Sequence, residues 1–453
     1  MSNLEKKTSG GGLRQRRFDR QQVRLVGWGL IIGLIAGTLV SLYRYAISTG
    51  IGFARSMYTA IADRPLLLVP WAVSAAGIGL ILWHITKWEP TSSGSGIPQV
   101  KGTVLMGLRM RWANVLVARF AGGILGSLFG LSLGREGPSV HISAAAAKGL
   151  VGNRTEDTTE TRCFITGGAA AGISAAFNAP LSGIVFALEE VSHSFSAPVL
   201  LAAMASALGA DVISSYVFGL TPVLDFVTMP RLDYTGYLWI APLGATVGIL
   251  GAVINRVFIG FQSFFIRLPA WAGPVLAIVI ALPLGLFMPD VLGGGENLVS
   301  LPENVNAGLG LMLLLMVVKL VFSGTSFGSG VPGGIFMPIM ATGALGGAAI
   351  GIAASQYDGL DSTLIPLFAA LGMAGTLASS VRAPVTAILL VTEMTGSFVQ
   401  LLPVAGCVLV AFLVSGLLRA QPIYDLLLSS YLDRHPEAET ENGKLVRVSQ
   451  TSG

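Results

Sequence analysis

The chain has 453 residues, 53% of them hydrophobic and only 11% charged, with a formal net charge of +4. Soluble domains carry about 25% charged residues, so the bulk of this chain belongs in a bilayer and a large water-soluble core is excluded. Cys163 and Cys407 stand alone in apolar surroundings, and His84, His141, His193 and His435 are scattered; this pattern builds no metal cluster, and no cofactor is expected.

In chain order, Lys6, Lys7, Arg14, Arg16, Arg17, Arg20 and Arg24 precede the first long apolar run, Leu25 to Leu42. Such a cluster could bind nucleic acid, but the positive-inside rule accounts for it more simply and places residues 1–24 in the cytoplasm. No small-residue cleavage site follows a short apolar core, so the run reads as an anchor and not as a signal peptide. Further apolar runs fall near 66–86, 115–133, 139–151, 163–178, 181–195, 198–219, 236–263, 271–288, 308–323, 333–355, 363–381, 384–396 and 399–418. A simple spanning helix needs about 20 apolar residues, and several of these runs are shorter. Glycine and proline separate them at Gly96-Ile97-Pro98, Gly137-Pro138, Ala179-Pro180, Gly333-Gly334 and Ala383-Pro384. Proline suits the first turn of a helix, where its missing N–H costs nothing. Each mark therefore predicts a helix that starts inside the membrane, which requires surrounding protein or a water-filled cavity.

The chain also repeats itself. Ala179-Pro180-Leu181-Ser182-Gly183-Ile184 with Glu189 matches Ala383-Pro384-Val385-Thr386-Ala387-Ile388 with Glu393 at an offset of 204, and Pro138 matches Pro338 at an offset of 200. Two halves, about 25–219 and 236–418, fit transporters whose sites lie between repeats. Residues 220–235, with Asp225, Arg231 and Asp233, form the connector, and residues 431–453, with Asp433, Arg434, Glu437, Glu439 and Glu441, form a short polar tail.

Two acidic residues stand in apolar context: Glu136 in Gly134-Arg135-Glu136-Gly137-Pro138, and Glu190 at the end of Ile184-Val185-Phe186-Ala187-Leu188-Glu189-Glu190. A carboxylate at membrane depth costs about 2.5–3.5 kcal/mol on insertion scales and is usually retained to handle protons or ions. Glu189 and Glu393 share a repeat position and read as structural hydrogen-bonding groups. Glu190 has no counterpart, since Met394 stands there, which makes it the functional member of its pair. Arg135 reads equally as a partner for a carboxylate or as a side chain reaching the interface. The breaks at Gly94-Ser95-Gly96-Ile97-Pro98, at Glu136 and at Gly333-Gly334-Ile335-Phe336-Met337-Pro338 all offer unpaired N–H groups at helix starts, where anions bind. Several such starts aimed at one place would hold a monovalent anion without a full cationic charge, whereas a cation site would need rings of carboxylates or carbonyls.

These residues, with Tyr424 in Gln421-Pro422-Ile423-Tyr424, resemble the CLC family of chloride channels and proton-coupled chloride transporters over roughly residues 25–430. The match is to its prokaryotic members, which lack paired cytoplasmic nucleotide-binding domains. The resemblance implies an all-α polytopic membrane protein of two inverted repeats with tilted, broken helices. It further implies a homodimer with one pathway per subunit, a multi-pass inner membrane setting in a prokaryote, and both termini in the cytoplasm. Ser95, Tyr424 and the backbone of Ile335 and Phe336 would bind chloride, supported by Gly134, Arg135, Gly137 and Gly334. Glu136 would be the external gate and Glu190 the internal proton-transfer residue of an antiporter. Members specialised for nitrate carry proline in place of Ser95, and fluoride exporters depart at both motifs, so the resemblance points to chloride. A passive channel of the same fold is the nearest alternative. An intramembrane serine protease, prompted by Gly324-Thr325-Ser326-Phe327-Gly328 and His141, would need a histidine base in reach of its nucleophile.

Overall fold

The computed structural model describes residues 2–152, 158–220, 223–224, 230–232, 234–303, 308–440, 443 and 445; the side chains of 2–19, 158, 234–235 and 303 lie outside that description. Asp225 and Asp233 of the expected connector and Glu441 of the tail fall outside it as well. The first half comprises α1 (Ser2–Asp63), α2 (Leu68–Trp88), α3 (Ile97–Met106), α4 (Trp112–Ser127), α5 (Glu136–Val151), α6 (Thr158–Phe177), α7 (Pro180–Phe186) and α8 (Ala197–Phe218). The second comprises α9 (Tyr234–Leu238), α10 (Ile240–Ile266), α11 (Ala272–Phe287), α12 (Glu296–Ser300), α13 (Leu309–Gly328), α14 (Phe336–Asp358), α15 (Ile365–Val381), α16 (Pro384–Thr395) and α17 (Leu401–Leu417). The helix α18 (Ile423–Arg434) follows, and β-structure among the described residues is confined to isolated bridges.

The proline marks are helix starts. Pro180 and Pro384 open α7 and α16, Pro98 is second in α3, and Pro138 and Pro338 are third in α5 and α14. All five sit within the first turn, where N–H groups have no intrahelical acceptor to lose. Two boundaries differ from the pattern of apolar runs. The basic segment before Leu25 is not separate from the first run: α1 passes through it without interruption, because no proline intervenes. The run 181–195 divides into α7 and a π-helical turn at Ala187–Val191, where Ser192 N–H bonds Ala187 O at 3.0 Å.

Among the described residues, eight helices are long and apolar enough to cross a membrane. They do not all face lipid. The most apolar windows of α14 and α15 are 89% and 94% buried within the protein, against 22% for the segment carrying α2. Small residues permit this enclosure: a methyl group at Gly347 of α14 would lie 2.1 Å from the carbonyl oxygen of Phe368 in α15.

The two halves are related as the repeat predicts. Glu393 accepts from Leu181 N–H at 3.0 Å, from Ser182 N–H at 2.7 Å and from the Ser182 hydroxyl. Its counterpart Glu189 accepts from Val385 N–H at 3.2 Å, from Thr386 N–H at 2.8 Å and from Thr386 Oγ1 at 2.7 Å. Each glutamate thus caps the start of the other half's short helix, an exchange that only a two-fold relation produces. Gly134 and Gly334 are likewise bridged to each other, and α13, its turn and α14 retrace α4, its turn and α5.

Replacing Glu393 by alanine strands the donors at the start of α7 and is expected to cost about 2 kcal/mol. Glu189→Ala should cost a similar amount, each read as a lowered thermal midpoint of the detergent-solubilised protein.

Candidate ion pathway

Three helix starts meet at the centre of the protein. Gly134 N–H donates to Gly334 O and Gly334 N–H to Gly134 O, both at 2.7 Å, which joins the starts of α5 and α14. Gly333 N–H donates to Gly94 O at 3.1 Å and brings in the loop before α3. Gly96 enters that helix at φ 95°, a left-handed conformation that favours glycine. Packing there is close enough to exclude a Cβ: a methyl at Gly137 would lie 2.5 Å from Ser95 Oγ.

The hydroxyls expected to face an anion come together. Ser95 is 2% exposed and Tyr424, the second residue of α18, is fully buried. The two side chains lie within interacting reach, yet neither oxygen satisfies the geometry of a hydrogen bond with the protein. Buried polar atoms normally have partners, so a pair of orphaned hydroxyls marks a place for something else. Ile335 caps α14 and Phe336 begins it, both fully buried, and first-turn N–H groups have no intrahelical acceptor. Phe336 is held by Phe177 and Phe186, with ring centroids 5.9 and 6.0 Å away.

Glu136 is fully buried as the first residue of α5. The backbone N–H groups of Glu136 and Met337 face its carboxylate, but neither oxygen makes a hydrogen bond. The side chain folds back over Gly134, where a methyl would lie 2.3 Å from Oε2. Of the two readings of Arg135, the carboxylate partner is present: its Nη2 pairs with Glu296 Oε1 at 3.0 Å.

Glu190 lies in the π-helical turn and is 3% exposed. Adjacent Glu189 faces away, toward α16, so the turn aims two consecutive carboxylates in different directions. Glu190 Oε1 accepts from Lys101 Nζ at 2.8 Å, and the same ammonium group lies 2.5 Å from Asp425 Oδ1. Neither Lys101 nor Asp425 stands out in the sequence. The available signal is a lone lysine in the otherwise uncharged α3.

A third residue missed by sequence reasoning is Arg119. It is fully buried, and its guanidinium donates to His141 Nδ1 at 3.1 Å, Gly94 O at 2.5 Å and Thr91 O at 3.2 Å. A methyl at Gly96 would lie 2.8 Å from Nη2. The expectation of a site with no formal cation beside it is therefore corrected. A guanidinium stands directly behind the Gly94–Gly96 loop, and every acceptor it uses is neutral. Such burial of a charged group is tolerable because each of its three nitrogens donates a hydrogen bond.

A cavity of about 660 Å³ reaches this centre from one side, bordered by Ser95, Pro98 and Phe327 at its inner end and by Lys87, Arg434 and His435 at its mouth. A separate cavity of only about 10 Å³ is lined by Tyr43, Ile47, Gly134 and Gly333.

The protease reading finds no support in this geometry. His141 is engaged through Nδ1 by Arg119, and Ser326 Oγ accepts from Ser132 N–H at 3.1 Å.

Residues 77–416 match the family model described as voltage gated chloride channel. A protein of Vibrio cholerae serotype O1 (strain M66-2), named H(+)/Cl(-) exchange transporter ClcA, is 34% identical over 435 residues, 90% of each chain. One of the same name from Salmonella arizonae is 33% identical over 442 residues, covering 93% of this chain and 92% of that one. A slow cyanobacterial Cl-/H+ antiporter of known structure superposes with a TM-score of 0.85 at 27% identity, covering 91% of this chain and 98% of that one. A eukaryotic CLC transporter, at 22% identity and a TM-score of 0.72 over 90% of this chain and 74% of that one, shares the fold. By the extent of the family match and by its curated relatives, the chain belongs to the CLC family of voltage-gated chloride channels.

Proposed function

We propose that the protein exchanges chloride for protons across a bacterial inner membrane, with Glu136 as external gate and Glu190 as internal proton-transfer residue. The observation that carries this reading is the buried Glu136 carboxylate, lying unbonded over the joined starts of α5 and α14 beside two orphaned hydroxyls. The relatives named H(+)/Cl(-) exchange transporter support the same assignment. Multiple apolar helices place the chain in a membrane. The basic residues before Leu25 favour cytoplasmic termini at 1–24 and 431–453, flanking a transmembrane unit at 25–430. Family resemblance favours a homodimer with one pathway per subunit.

Chloride would bind where Ser95 Oγ, Tyr424 OH and the N–H groups of Ile335 and Phe336 converge. Partial positive charge at the helix starts attracts it, and the Arg119 guanidinium adds to that potential from behind the loop. No cation touches the ion, so it can leave. Ionised Glu136 is an alternative occupant of the same positive field. Protonation removes its attraction and lets the side chain withdraw, which admits chloride to the outer position. The proton then travels between Glu136 and Glu190 through water. Both carboxylates act electrostatically on Tyr424. Coupling follows because one carboxylate carries the proton and mimics the anion.

Glu136→Gln is expected to abolish proton movement in reconstituted liposomes while chloride flux becomes uncoupled or altered. Continued proton pumping by that variant would remove Glu136 from the mechanism. For Glu190→Val, proton flux should vanish while chloride still permeates, recorded as simultaneous chloride efflux and external pH. A wild-type reversal potential that ignores the proton gradient would favour a passive channel. Ser95→Ala combined with Tyr424→Ala should weaken central halide binding by about tenfold or more, since two buried hydroxyl donors are lost; unchanged calorimetric affinity would refute the site.

A further inference from the structure

The inner proton site is a cluster of three charges. Glu190 is contributed by the π-helical turn, Lys101 by α3 and Asp425 by α18, immediately after Tyr424. Lys101 and Glu190 are buried, with side chains 3% and 4% exposed, whereas Asp425 is 48% exposed. One ammonium group is thus shared between a buried carboxylate and a half-solvated one. The other titratable groups facing the cluster are Glu189 and His193 from the chain flanking Glu190, and Tyr424 from α18. Glu189 is committed to the start of α16.

Charge counting gives this arrangement a consequence. With Glu190 ionised, the cluster carries one net negative charge; with Glu190 protonated, it is neutral. If Asp425 were absent, the ionised state would be the neutral one. Protonation would then leave a buried ammonium without a partner, and breaking one side of a buried ion pair is strongly unfavourable. A lone Lys101–Glu190 pair would therefore hold Glu190 ionised and oppose proton loading.

We propose that Asp425 is a positioning residue for proton transfer: it keeps Lys101 paired while Glu190 is neutral, and so permits Glu190 to load. In the step, a hydronium ion from the tail-facing side bonds its proton to a Glu190 oxygen and departs as water. Lys101 loosens from Glu190 and stays on Asp425. When Glu190 passes the proton on, the ammonium returns to its shared position. The inference rests on the reading of Glu190 as the internal proton-transfer residue.

The test uses the full chain in liposomes, with chloride and proton fluxes recorded together across a range of pH on the tail-facing side. Asp425→Asn is expected to reduce proton uptake about tenfold near neutrality, with recovery at more acidic pH and chloride flux persisting. Asp425→Glu should restore uptake. Combining Asp425→Asn with Lys101→Met removes the stranded cation and should return coupling toward wild type, an effect that a purely structural role for Asp425 does not produce. Wild-type coupling in Asp425→Asn, or a double variant no better than the single one, overturns the proposal. Where Asp425→Asn folds poorly, Lys101→Met alone decides: uptake should extend to more alkaline pH, and a shift toward acid refutes the charge balance. If Glu190→Val abolishes proton flux and Asp425→Asn does not alter it, only this inference fails; if Glu190→Val still carries protons, the assignment of Glu190 fails with it.

Discussion

Two backbone hydrogen bonds of 2.7 Å between Gly134 and Gly334 hold together what electrostatics would push apart. Each lies just before a helix whose start carries roughly half a positive charge, and the two starts point at a common centre. Such a meeting is unfavourable until something negative enters it. The glycines make it possible, since a methyl at Gly334 would lie 2.9 Å from Gly137 N and one at Gly134 would strike the Glu136 carboxylate. In the proposed mechanism, carboxylate and anion are therefore not incidental visitors to this scaffold; they would relieve a repulsion built into its backbone. The proposed competition between Glu136 and chloride is the outcome of that shared demand.

Several buried ionisable groups elsewhere have settled partners, and the contrast is informative. Lys319 donates to Val291 O at 2.9 Å and Gly293 O at 2.6 Å, securing the segment that leads into α12. Arg135 is held by Glu296 on that same short helix. Glu189 and Glu393 spend both oxygens on helix starts across the two-fold relation. Against this background, the unbonded carboxylate of Glu136 and the unbonded hydroxyls of Ser95 and Tyr424 are conspicuous. A group fully engaged with protein is committed to the frame, whereas an unengaged one at the meeting of three helix starts is free to serve the proposed ion site.

Local chemistry made much of this legible. Proline tolerates few helical positions, so Pro98, Pro138, Pro180, Pro338 and Pro384 marked helix starts directly. The repeat separated Glu190 from Glu189 because a structural glutamate must recur with the symmetry and a functional one need not. Long-range pairing was not legible. Lys101 is 89 residues from Glu190, and Asp425 lies in another helix altogether, so no local pattern could join them. Arg119 was hidden for a different reason: its acceptors are mostly backbone carbonyls, which every residue possesses. The continuity of α1 through its basic stretch was obscured because charge pattern reports membrane sidedness and is silent on where a helix begins.

The reciprocal caps and the self-paired glycine bridge describe a frame that looks the same when turned over. A frame of that kind has no top or bottom. Glu136 faces a phenylalanine across the two-fold relation, and Glu190 faces a methionine. Polarity is accordingly a property of a few side chains laid upon an apolar (in the geometric sense, directionless) backbone. If Glu136 and Glu190 act as proposed, the distinction between one face of the bilayer and the other resides in which half was given the acids, and not in the architecture that carries them.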